Sequence, residues 1–147
     1  MNLKAPSLPF VHILNLSKVY GRDRHGPKIA FETVDEGFLE ANKGIHLIVQ
    51  GAEQKVIFCG MCGTESFRDR LLFNKPDDLH FHHQDRIREL VGSALSLGHS
   101  IAVYAQSEDQ LRRSLIDKGS SPEALGSLMA IRNYLIKLYE PVWNRRA

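Results

Sequence analysis

The chain has 147 residues, 43% of them apolar and 24% charged, a composition able to bury a core in one ordinary domain. Its apolar runs, such as Ile45 to Val49 with His46 inside it, fall far short of the roughly 20 residues of a membrane-crossing helix, and the first residues carry no signal-peptide pattern. A net charge of +2 is compatible with a polyanion partner but is far below the basic footprint of a strong nucleic-acid binder.

The expectation is therefore one soluble, cytoplasmic domain with no membrane partner. Cys59 and Cys62 stand too close in sequence for a loop-closing disulfide, which suits a reduced compartment.

In chain order, Phe10 to Val19 is rich in β-branched and aromatic residues, Gly21 to Pro27 interrupts it, and Lys28 to Val34 resumes it, predicting a β-hairpin with a basic tip. Ile45 to Val49 and Lys55 to Phe58, separated by Gly51-Ala52-Glu53-Gln54, predict a second and more buried hairpin. Ser66 can cap a helix covering Phe67, Arg70, Leu71 and Asn74, stopped by Pro76. Ile87, Leu90, Val91, Ala94 and Leu95 repeat at helical spacing, with Gly98 where a C-terminal glycine belongs. Ile101 to Ala105 returns to strand composition. Ser121, Pro122 and Glu123 then open a helix expected to reach about Tyr139, beyond which Pro141 prevents continuation. The predicted order is hairpin, hairpin, α, α, β, α, with no internal repeat and no linker long enough to divide the domain.

Three segments in this order resemble the core of the GIY-YIG nuclease family. Gly44-Ile45-His46 stands in the place of the first name motif and Phe58-Cys59-Gly60 in that of the second. Ser66 to Leu71 is similar to the family's arginine helix, with Arg70 at the catalytic arginine, and Asn144, in the ending Leu135 to Asn144, matches the terminal asparagine. Ser93 to Gly98, Val103-Tyr104-Ala105 and the same ending look like the phage endonuclease II branch. The resemblance covers roughly residues 10 to 145. It implies an α/β (α+β) fold with a small mixed or antiparallel sheet flanked by helices. The N-terminal hairpin would occupy about 10–35 and the core about 43–145 of a single domain, residues 1–147.

It also implies an activity: hydrolysis of DNA phosphodiesters with Mg2+ or Mn2+. There a tyrosine orients or deprotonates water, a glutamate holds the metal, and arginine with the metal stabilises charge on phosphorus. The candidate catalytic set is His46, Phe58, Arg70, Arg132 and Asn144, and three of its members depart from the pattern. His46 in the first tyrosine's place keeps a proton acceptor. Phe58 in the second tyrosine's place loses the hydroxyl. Arg132 stands where the metal-binding glutamate belongs, a change of two charge units that removes the one metal ligand the family site provides. Leu125, Leu128, Arg132, Leu135 and Tyr139 would share one helix face, so Arg132 should point from an apolar stripe toward an anion, either an acid or a backbone phosphate. Glu123 and Glu140 are poor substitutes, since nine residues of helix place Glu123 about 13 Å away.

The expected function is a GIY-YIG-type endonuclease fold that binds DNA with impaired cleavage. The alternative is a non-catalytic nucleic-acid-binding or protein-interaction module on the same scaffold. A homo-oligomer would let two sites address two strands. Further DNA-contact candidates are Arg22, Arg24 and Lys28 at the hairpin tip, Arg68 beside Arg70, and the pair Arg112 and Arg113; Arg145 and Arg146 are read as solvated. Cys59 and Cys62 with His80, His82 and His83 have a zinc-like order, weighed against a core strand and solvated histidines, so no metal ligand is assigned.

Overall fold

In a computed structural model the described residues are 8–72, 79, 81 and 84–144. Two hairpins flank a single central strand. Strands β1 (Val11–Asp23) and β2 (Gly26–Thr33) form the first, β3 (Asn42–Gln50) and β4 (Lys55–Ser66) the second, and β5 (Ile101–Ser107) lies between them. The sheet order is β2-β1-β5-β3-β4. Every neighbouring pair is antiparallel, so the sheet is not mixed. Helices α1 (Glu36–Leu39), α2 (Phe67–Leu72), α3 (Asp85–Ser96), α4 (Glu108–Asp117) and α5 (Leu128–Tyr139) complete the fold, with 3-10 turns at Pro122–Leu125 and Val142–Asn144. No described helix is long and apolar enough to cross a membrane.

Strand alternation sorts the core into two clusters, because successive side chains point to opposite faces. Ile13, Leu14, Ile48, Phe58 and Val103 pack with Phe67 and Leu71 of α2 and Ile87 and Val91 of α3. Ile45, Leu47, Val49 and Val56 pack on the other face with Leu111 and Leu115 of α4 and Ile131 and Leu135 of α5. The β3–β4 hairpin is thus covered on both faces, which explains its nearly continuous apolar reading.

The first hairpin is pinned at its tip. Arg88 of α3 is fully buried; its Nε donates to the Pro27 carbonyl at 2.7 Å and its Nη2 lies 3.0 Å from an Asp23 carboxylate oxygen. The Nε and Nη2 contacts, one of them to a carboxylate, offset much of the cost of burying the guanidinium. Arg22 adds an exposed pair with Glu89, and His25 approaches Asp85 at 3.6 Å.

The expected elements are present, with extended strand ends and one division. Ser66 Oγ accepts from the Asp69 amide at 3.1 Å as an N-cap should, while Asn74 and Pro76 lie outside the described residues. Gly98, at φ +89, closes α3 by donating to Leu95. The single helix expected from Ser121 to Tyr139 is instead a 3-10 turn followed by α5. Gly126 and Ser127 explain the break: Ser127 has extended backbone angles and its side chain accepts from the Ala130 amide, so the true cap lies six residues after Ser121. Helix α4 was not anticipated, although Ser107 caps it through the Gln110 amide and Glu108 and Asp109 occupy its positive end.

Candidate functional site

The two motif segments face one another across β3 and β4, with His46 opposite Gly60 and Ile48 opposite Phe58. Each motif glycine is required by a close approach. A Cβ on Gly44 would overlap the Gln106 carbonyl oxygen of β5 and come within 2.7 Å of the Phe67 ring. A Cβ on Gly60 would stand 2.5 Å from two atoms of the His46 imidazole. The second glycine therefore makes the seat for the histidine of the first motif.

His46 is only 2% exposed, and its ring lies 5.9 Å from that of Phe58. Its Nδ1 has no hydrogen-bond partner among the described residues. Burial, then the charges of Arg70 and Arg132, depress its pKa to about 3. The imidazole is consequently neutral at physiological pH, and so weak a base is badly matched to removing a proton from water.

Arg70, on α2, is mostly buried and its Nη1 lies 3.3 Å from Glu65. Arg132 approaches from α5. Its charge reaches His46 and also lowers the Cys59 thiol against burial, which pushes that thiol up to about 12. Arg132 does not lie in the fully buried stripe expected of it: that stripe is Ile131, Leu135 and Tyr139, and Arg132 is half-buried at its flank. Among the described residues no carboxylate pairs with it, and its Nη1 makes a long 3.9 Å approach to the Met129 sulfur.

Asn144 proves to be a clamp. Its side-chain oxygen accepts from the Cys59 amide and its nitrogen donates to the Cys59 carbonyl, both at 2.8 Å. One amide group thereby reproduces a strand's hydrogen-bonding edge on β4, one of the sheet's two edge strands. Arg86 of α3 holds the same turn by donating to the Trp143 carbonyl.

The DNA-contact candidates do not converge on one surface. Arg22 pairs with Glu89, Arg68 with Glu40 and Glu36, and Arg112 with Glu108 and Asp109. Arg24 donates to His25, Lys28 lies 5.7 Å above the Tyr20 ring, and Arg113 is exposed on α4.

Cys59 and Cys62 belong to clusters on opposite faces of the sheet, so they cannot ligate one ion; His80, His82, His83, Arg145 and Arg146 lie outside the described residues. Among the described residues no three His, Cys, Asp or Glu side chains gather to hold a metal. Mg2+ and Mn2+ favour oxygen ligands, and the residues around His46 do not fit such an ion.

Neither Gly60 as the seat nor Cys59 as the backbone anchor was found from sequence. Neighbouring glycine and histidine motifs were visible, but their register was not. No family model, no curated protein and no solved structure matches this chain.

Proposed function

We propose that the chain binds DNA through a GIY-YIG-type endonuclease scaffold whose cleavage is lost or severely impaired. The observation that carries this reading is the cationic surround of a proton-free His46: Arg70 and Arg132 reach it from separate helices, and Arg132 has no acid partner among the described residues. A guanidinium without a carboxylate partner is suited to a backbone phosphate, which it can engage in bidentate fashion. The paired glycine motifs, the arginine helix directly after them and the asparagine on the second motif's strand support the ancestry.

The same surround argues against hydrolysis. Phe58 supplies no hydroxyl, His46 is too weak a base, and arginine occupies the place of a metal-binding acid. On this reading the chain's role is DNA binding without cleavage, in a cytoplasm where Cys59 and Cys62 stay reduced.

Electrophoretic shift of duplex DNA at low salt tests the binding. Arg132→Ala and Arg70→Ala should each weaken it and lower the salt-dependence slope by about 1; no shift by the natural protein would sink the proposal. Plasmid nicking with Mg2+ or Mn2+ tests the second half. Robust nicking by the natural protein would refute impairment, and Arg132→Glu shows whether that position alone holds cleavage off.

A further inference from the structure

The outer face of the first hairpin is a separate surface. Opposite the core residues Ile13, Leu14 and Ile29, strands β1 and β2 carry Asn15, Lys18, Tyr20 and Glu32 into exposed positions. Among the described residues the main helix contacts of this hairpin are with α3 and α1, on the core side. Tyr20 is 49% exposed, with the Lys28 ammonium 5.7 Å from its ring centre. Toward the other end, His12 and Tyr104 of β5 stack at 4.8 Å with 13° between their planes. Asn15 fixes the His12 ring at 2.7 Å, and Gln54 donates to the Tyr104 hydroxyl at 3.2 Å. A pocket of about 190 Å³ opens here, lined by these four side chains together with Ala102.

We propose that this sheet face binds single-stranded nucleic acid, with unpaired bases against Tyr20 and the His12–Tyr104 stack and phosphates near Lys18 and Lys28. Four observations select that occupant. Aromatic rings stand at the two ends of the strip, and two lysines lie beside Tyr20 at one of them, a pairing of base-stacking surface with phosphate-neutralising charge. The pocket is below the roughly 300–1,000 Å³ of ordinary small-molecule sites, so it fits one planar ring rather than a whole cofactor. Its edges are two amides, a hydroxyl and the His12 imidazole, with no carboxylate, lysine or arginine among the lining residues, so they suit the polar edge of a base. The run from Tyr20 to His12 spans roughly 25 Å at about 3.3 Å per residue, long enough for several nucleotides. Lys18 and Lys28 outweigh Glu32 on the strip.

This surface does not involve Arg70 or Arg132, so it can stand or fall apart from duplex binding. The test is fluorescence anisotropy of the full chain with a labelled oligothymidine, its oligouridine counterpart and a duplex of equal length. Binding of either single strand is expected, and any preference between them reads contact with the sugar. Tyr20→Ala, on an exposed side chain, and His12→Ala should each weaken single-strand binding about fivefold or more and leave duplex binding unchanged. Lys18→Ala with Lys28→Ala should lower the single-strand salt slope by roughly 1.4. The proposal is overturned if neither single strand binds, if the aromatic variants bind as the natural protein does, or if Arg70→Ala abolishes single-strand binding.

Discussion

The two hairpins share a topology and differ in what covers them. The β3–β4 hairpin lies between helices on both sides, so its specificity resides in atomic fit: Gly44 admits β5 and Phe67, and Gly60 admits His46. The β1–β2 hairpin is covered on one face and held at its tip by Arg88, Asp23 and Arg22. Its other face stays polar and aromatic. Buried fit leaves no freedom to vary and houses the motif residues; a one-sided hairpin keeps a surface that can meet a ligand.

The contrast is broken most severely by Gly44→Ala. The new methyl meets a backbone carbonyl and an immovable buried ring, so a loss of about 3 kcal/mol or more is expected by chemical denaturation. A comparable alanine at exposed Ser17 of the first hairpin should fall within about 0.5 kcal/mol.

The buried imidazole gives the next effect. Because the folded-state pKa of His46 is about 3 and its ordinary value is 6.5, the unfolded chain binds more protons between those values. His46 therefore adds a stability that is present above about pH 6.5 and is lost as pH falls, by up to about 1.4 kcal/mol per pH unit. Denaturation midpoints of the natural protein and His46→Asn, measured from pH 7 to pH 4, should differ in slope by that amount. Equal slopes would show that the imidazole is not held proton-free.

Asn144→Ala removes both hydrogen bonds to the Cys59 backbone. A cost of about 1–2 kcal/mol is expected, together with faster hydrogen exchange at the Cys59 amide. Retained protection there would mean that the C-terminal turn does not close the β4 edge. A small change is expected for Arg22→Ala in the first hairpin. Both side chains of its pair with Glu89 are exposed, so the denaturation midpoint should move little, and high salt should erase the difference.

Much of the architecture was legible along the chain. Loose alternation of β-branched and aromatic residues marked the first hairpin, short apolar runs around Gly51 to Gln54 marked the second, and 3.6-residue spacing with Gly98 marked α3. The errors lie where local signals compete. Ser121-Pro122-Glu123 has the composition of a helix start, yet Gly126 interrupts the chain and the extended Ser127 provides the working cap. Helix α4 was hidden because only Leu111 and Leu115 of its ten residues are buried, a thin stripe between charged residues.

The site was legible in part. His46, Phe58, Arg70 and Arg132 could be singled out by type and order, since losing a hydroxyl or exchanging an acid for a guanidinium changes chemistry in any fold. Their relations could not. Register decided that Gly60 faces His46, because a slip of one residue would send every side chain to the opposite face. Packing decided that Arg132 lies at the flank of α5 and that Asn144 spends both polar groups on β4. The sequence by itself determined which groups are present and their charges; tertiary structure decided which are buried, paired or exposed, since proximity between residues 46 and 132, or 59 and 144, arises only when distant segments pack.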